Sequence, residues 1–152
     1  MEPLFKKEDF SLFEKYGGKK VKDAPKAHAE LKALYEKLGY ICGLLPKSSY
    51  KVNIIKNPQN RGHIYENYHW AKIYPIEIEP FIKDKIAFVI GTTKEGFNIH
   101  IDGIKNYADN PETKLTEKKT KILLNVNDKP YPEIVDEIIN YMKTESNYNA
   151  LL

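Results

Sequence analysis

The stretch Ile86-Ala-Phe-Val-Ile-Gly-Thr-Thr-Lys-Glu-Gly-Phe-Asn-Ile-His-Ile-Asp102 decides the predicted fold, because it has the pattern of a β-hairpin. The run from Ile86 to Ile90 is continuously apolar, which predicts a strand covered on both faces. The segment from Thr92 to Gly96 is expected to turn the chain, since its glycine can supply the positive φ that a hairpin needs. From Phe97 onward, apolar and polar residues alternate strictly. This alternation indicates the antiparallel return strand of a sheet.

Further strands are predicted on both sides of this hairpin. Residues 50–56 and 68–74 have strand patterns and are separated by a loop rich in Asn, Pro and Gly. Residues 105–115 have the composition of a loop. Residues 116–126 are ambiguous, because their lysines suit a helix whereas the run that starts at Ile122 could pair in the sheet.

Helices are predicted at both ends of the chain. The first runs from about Glu8 to Tyr16 and ends at a pair of glycines. The second is expected to have Asp23 as its N-cap, Pro25 in its first turn and Gly39 after its last turn. The last helix begins near Pro132. It carries the apolar stripe Ile134, Val135, Ile138, Ile139 and Met142.

These elements predict an α+β fold with a mostly antiparallel sheet at about residues 50–102 and a further candidate strand at 120–126. Helices flank the sheet at the N-terminal and C-terminal ends. We expect residues 1–145 to form a single domain, because 152 residues suffice for one hydrophobic core. Residues 146–152 are expected to be a frayed tail or the start of a linker.

The composition indicates a soluble globular protein with 41% apolar and 30% charged residues. The net charge of +3 permits a polyanionic partner without requiring one, since 24 basic residues are mixed with 21 acidic ones. A single cysteine, Cys42, excludes an internal disulfide and fits a reducing compartment. With no signal-peptide core and no membrane-spanning run, the expected location is the cytoplasm, without a membrane partner.

The segment from Tyr65 to Tyr74 is the strongest functional signal, because it combines the only tryptophan with several tyrosines, a histidine and a lysine. In a strand, alternate residues share one face, and His69, Ala71 and Ile73 would cover the core. Flat rings beside a cation can stack a nucleobase. The candidate base-pocket residues are Tyr65, Tyr68, Trp70 and Tyr74. The alternative is that Trp70 is a core residue beneath a helix.

The loop of residues 57–67 is a candidate for contacts with nucleic acid. Arg and Asn side chains read base edges by paired hydrogen bonds, and lysines contact phosphates. The candidate DNA-binding residues in and near this loop are Lys51, Lys56, Asn60, Arg61, His63 and Lys72. The alternative is an ordinary solvated loop.

Several classes of enzyme lack support in the sequence. It contains no P-loop, no dinucleotide fingerprint and no zinc-ligand spacing, so we expect no cofactor, no metal and no catalytic residue. One alternative remains open: a small Mg²⁺-dependent nuclease built on Asp102, Glu112 and Lys114. The simpler interpretation is that Asn98, His100 and Asp102 form the solvated face of a hairpin strand.

The order of these features resembles the N-terminal DNA-recognition domain of McrB-type, modification-dependent restriction systems. The stretches that carry the resemblance are Tyr50-Lys-Val-Asn-Ile-Ile-Lys56, Arg61-Gly62, His69-Trp70-Ala71, Ile86-Ala-Phe-Val-Ile-Gly91 and Asp136-Glu-Ile-Ile-Asn-Tyr141.

This resemblance implies a non-catalytic module of a restriction or defence system that reads duplex DNA, including methylated DNA. It implies base flipping, in which a modified cytosine enters the aromatic pocket. The implied partners are an AAA+ GTPase motor that follows in the same chain and a separate nuclease subunit. A third hypothesis is a protein-interaction or adaptor domain whose aromatic strand face meets a partner.

Overall fold

The computed structural model of the protein describes residues 5–76, 86–103 and 122–144. These residues form helices at both ends and a sheet between them, so the predicted α+β fold is confirmed. In chain order the elements are α1 (Lys7–Tyr16), a short 3-10 helix (Val21–Asp23), α2 (Ala27–Leu44), β1 (Tyr50–Ile54), β2 (Tyr68–Pro75), β3 (Ile86–Thr93), β4 (Gly96–Gly103), β5 (Ile122–Leu124) and α3 (Tyr131–Thr144).

The five strands of the described ranges form one antiparallel sheet in the order β1-β2-β3-β4-β5. The predicted hairpin is β3–β4, in which Thr93 pairs with Gly96 across a two-residue turn. Gly96 has a φ of 125°, a conformation that side chains of L-residues rarely adopt. The turn therefore uses the glycine as the sequence predicted.

The helices cover one face of the sheet, and the hydrophobic core lies between the two layers. Phe5 joins the layers, because its ring lies 5.8 Å from Phe10, 5.7 Å from Phe97 and 5.9 Å from Tyr131 between centroids. Strand residues on this face are fully buried, among them Ala71, Ile73, Ile90, Phe97 and Ile99. Within the described ranges, no helix is long and apolar enough to cross a membrane.

Two predicted limits of α2 are wrong. The helix continues past Gly39 to Leu44, because the next turn buries Ile41 completely and Cys42 almost completely. Burying these side chains outweighs the cost of about 1 kcal/mol for a glycine inside a helix. At the other end, Asp23 belongs to the 3-10 helix and Lys26 occupies the N-cap position.

The ambiguous stretch contains a strand, since β5 pairs with β4. The remainder of that stretch, the predicted loop at 105–115 and the tail at 146–152 lie outside the described residues. In α3, the predicted stripe is buried at Ile134, Val135, Ile138 and Met142, and Ile139 is half-buried.

Candidate functional site

On the sheet face opposite the helices, strands β2, β3 and β4 line a cleft with a volume of about 370 Å³. This volume lies near the lower end of the range of roughly 300–1,000 Å³ that is typical of small-ligand sites. The cleft is lined by Tyr68, His69, Trp70, Lys72, Val89, Gly91, Thr93, Asn98 and His100. None of these residues carries a carboxylate.

The strand register explains why this face is concave. Trp70 pairs with Gly91, and Gly91 pairs with Asn98, so a position without a side chain separates the indole from the amide. A Cβ atom at Gly91 would lie 3.0 Å from the backbone oxygen of His69 and 3.4 Å from Asn98 Oδ1. The glycine therefore forms the floor of the cleft, and the Asn98 side chain lies beside it.

Trp70 forms an aromatic wall that a ligand can reach. Its side chain is half-buried and does not belong to the hydrophobic core, so the alternative placement of Trp70 beneath a helix is wrong. The amine of Lys72 lies 5.4 Å from the centroid of the ring, which is cation–π geometry. Tyr68, two residues earlier on the same face, is 43% exposed.

Asn98 and His100 of β4 add polar groups to those of Tyr68, Lys72 and Thr93 in the cleft. Asn98 is only 3% exposed, so the expectation that it belongs to a solvated strand face is wrong. Its role was not predicted, because an alternating strand pattern does not show that a glycine lies opposite in the neighbouring strand.

The proposed nuclease residues do not form a described site. The structure does not describe the side chain of Asp102 or any part of Glu112 and Lys114. Within the described ranges, no group of three or more His, Cys, Asp or Glu residues could hold a metal ion.

A buried contact between α2 and β2 fixes the start of the strand that carries Tyr68 and Trp70. The ring of His69 stacks on Tyr35 at 3.6 Å between centroids and 4° between planes, and its Nε2 lies 2.5 Å from the carbonyl oxygen of Ile55. Burial lowers the pKa of His69 to about 4, so the neutral ring donates the Nε2 proton to this carbonyl. The Tyr35 hydroxyl donates to the carbonyl of Tyr68 at 3.3 Å.

The structure brings only part of the predicted pocket together. Tyr68, Trp70 and Lys72 line the cleft, and Tyr74 lies on the same strand face beyond it. The assignment of Tyr65 to the pocket is wrong, because this side chain is 1% exposed and donates its hydroxyl to the carbonyl of Ala24 at 2.9 Å. Tyr65 is a core residue that anchors the loop.

The loop of residues 57–67 packs on the connection between α1 and α2. Asn60 serves the loop itself, since its Oδ1 accepts hydrogen bonds from the backbone N–H groups of Gly62 at 2.9 Å and Ile64 at 3.1 Å. The side chains of Arg61 and His63 are exposed, and neither lines the cleft.

The two remaining lysines lie on β1 and just after it. Lys51 pairs with Tyr74 in the register, so it lies on the same sheet face as Lys72. Lys56 instead lines a separate groove of about 310 Å³ between α2 and β1. Of the three lysines among the predicted DNA-binding residues, Lys51 and Lys72 therefore lie on the face that carries the cleft.

Comparison of this chain with protein families, with curated proteins and with solved structures found no match.

Proposed function

We propose that this chain is a non-catalytic nucleic-acid-binding module that stacks one base on Trp70 in the cleft. One observation carries this proposal: an accessible indole, with the Lys72 amine at its face, lies beside a floor formed by Gly91. Stacking on an aromatic side chain contributes about 1–3 kcal/mol per base. A cleft with one such wall therefore suits a planar heterocycle.

The charges on this face support a polyanionic ligand. Lys51 and Lys72 lie on it, and no carboxylate lines the described part of the cleft. Cations beside a stacking ring can hold the phosphates that flank a bound base. Binding should therefore weaken as the salt concentration rises.

The resemblance to McrB-type recognition domains gives the proposal a more specific form. In that form the ligand is duplex DNA, and a modified cytosine leaves the base stack to enter the cleft. Extruding a base costs a few kcal/mol, which stacking and hydrogen bonds in the cleft would offset. The proposed setting is a cytoplasmic defence system with a downstream GTPase motor and a nuclease subunit.

The test compares Trp70→Ala, Trp70→Phe and wild type in salt-titrated binding to single-stranded DNA and to unmodified, methylated and hydroxymethylated duplexes. We expect Trp70→Ala to lose roughly 1–3 kcal/mol of binding free energy, whereas Trp70→Phe keeps most of the affinity because it keeps a ring. Both variants should remain folded by circular dichroism, since Trp70 lies outside the core.

Equal affinity of wild type and Trp70→Ala for every strand would contradict the proposal. Mg²⁺-dependent cleavage that Asp102→Asn abolishes would instead support the nuclease hypothesis. Failure to bind any nucleic acid, together with a stable protein partner that Trp70→Ala loses, would favour an interaction domain.

A further inference from the structure

We infer that Asn98 determines which ligands the cleft accepts, because its carboxamide hydrogen-bonds the donor–acceptor edge of a base that stacks on Trp70. This inference rests on the proposed function and makes it more specific. It limits the ligand to a base that has left its stack, in single-stranded nucleic acid or extruded from a duplex.

The first observation is the state of the Asn98 side chain. The residue is 3% exposed and lines the cleft, yet its amide makes no hydrogen bond to any residue of the described ranges. Asn60 provides the contrast, since its Oδ1 accepts two backbone N–H groups of its own loop. Neither amide atom of Asn98 is among the fully buried side-chain atoms that lack a partner, so the amide still reaches the space of the cleft. At Asn98 the cleft is the place from which a partner can come.

The second observation is the spacing across the cleft floor. Trp70 and Asn98 lie in register on either side of Gly91, two strand spacings apart. Neighbouring strands are about 4.8 Å apart, so roughly 10 Å of sheet separates the two positions. A planar ring that lies against the indole above Gly91 would direct one edge toward the amide.

The chemistry of the amide selects the class of ligand. A carboxamide presents one acceptor and two donors side by side, and such a group pairs with a donor and an acceptor that are adjacent on a base. The same base must offer its flat face to Trp70. A base inside a duplex has both faces covered by its neighbours, so the two contacts together require an unstacked base.

The experiment uses short single-stranded oligonucleotides that carry one base at the centre, flanked by abasic positions. The central base is either thymine or N3-methylthymine. The methyl group of the second base replaces the hydrogen-bond donor that lies between two acceptors. Wild type should bind the thymine strand roughly tenfold more tightly than the N3-methylthymine strand, because a bound base with a blocked donor covers the amide oxygen without pairing it. Equal binding of the two strands by wild type would overturn the inference without any variant.

The variants are Asn98→Ala, which removes the amide, and Asn98→Asp, which keeps its shape but removes its donors. We expect the preference of Asn98→Ala for thymine to fall to about one, and that of Asn98→Asp to change, because a carboxylate only accepts hydrogen bonds. The matched control is Asn53→Ala, since Asn53 is exposed on the same sheet face, pairs with Lys72 and does not line the cleft. This control should keep the wild-type preference.

The outcomes separate this inference from the proposed function. If Trp70→Ala loses binding while folded Asn98→Ala keeps the wild-type preference for thymine, the base-binding function stands and the role of Asn98 is wrong. If Trp70→Ala binds both strands like wild type, the proposed function fails first.

Discussion

Gly91 lies between Trp70 and Asn98 in the register, and its missing Cβ leaves room for the Asn98 amide, whose Oδ1 would lie 3.4 Å from such an atom. It is an interior strand residue, a position at which glycine weakens a strand because it has no side chain to pack. The neighbouring strands approach it closely: a Cβ atom would lie 3.0 Å from the His69 backbone oxygen. A glycine at this position therefore lets the His69 carbonyl and the Asn98 amide lie close together at the floor of the cleft.

Replacing Gly91 by alanine should weaken binding of single-stranded DNA, because the new methyl group occupies the floor between the indole and the amide. The added Cβ also crowds the His69 backbone oxygen, so we expect the free energy of unfolding to fall by about 1–3 kcal/mol. Denaturant unfolding and a binding titration measure the two effects separately.

Gly43→Ala is the matched control for this change. Nothing lies within 4 Å of a Cβ atom at Gly43, which belongs to α2. Alanine there should stabilise the protein by up to about 1 kcal/mol and leave binding unchanged. Unaltered affinity in folded Gly91→Ala would show that the ligand does not use this floor.

At the scale of elements, the contact between α2 and β2 holds the start of the strand that carries the cleft residues. His69 is central to it, because its ring stacks on Tyr35 of α2 and its Nε2 donates to Ile55 beyond β1. No hydrogen-bond partner of the opposite ring nitrogen, Nδ1, is present among the described residues. Protonating this nitrogen would place a charge in an apolar setting, and the pKa near 4 reflects that cost.

The lowered pKa of His69 predicts a definite pH dependence of stability. The folded value is about 4 and the ordinary value is 6.5, so the unfolded chain binds more protons between these pH values. The contribution of His69 to the free energy of unfolding should therefore be fully present above about pH 6.5 and fall as the pH drops toward 4. The loss from this group is at most about 3 kcal/mol.

Urea unfolding of wild type and His69→Gln between pH 7 and about 4 measures this contribution as the slope of the free energy of unfolding against pH. The glutamine variant should be less stable at pH 7, because the stacked ring is lost, but less dependent on pH across this window. The control is His63→Gln, since His63 is exposed on the loop. Equal slopes in wild type and His69→Gln would show that the ring is not held neutral in the folded protein.

The elements that local patterns specify could be predicted from the sequence, and those that depend on distant contacts could not. The β3–β4 hairpin was predictable because alternation and the turn glycine are local signals. The end of α2 was not, since burial of Ile41 against other elements overrides the local signal of Gly39. The strand β5 stayed ambiguous because its three residues form a strand only through pairing with β4.

The same division holds for the cleft. A period of two in β2 was enough to place Trp70 and Lys72 on one face. Tyr65 was misassigned because it precedes β2, outside the alternation of that strand. Gly91 and Asn98 could not be found, because their importance comes from a register between strands that no single segment encodes.

At the scale of the whole molecule, the two faces of the sheet differ in what they carry. Helices and the core cover one face, and the other carries the cleft with Lys51 and Lys72. This division lets the structural residues and the proposed binding residues be varied separately, since Trp70 contributes nothing to the core. Among the described residues, the lining of the cleft comes from strands and not from helices.

The most direct test uses the fluorescence of Trp70, the only tryptophan in the chain. Titration with single-stranded DNA should quench its emission, because the excited indole can transfer an electron to a base in contact with it, and bound DNA should shield the ring from iodide. The quenching should reverse as salt is added. Binding that leaves both the emission and the access of iodide unchanged would contradict the claim that a base stacks on Trp70.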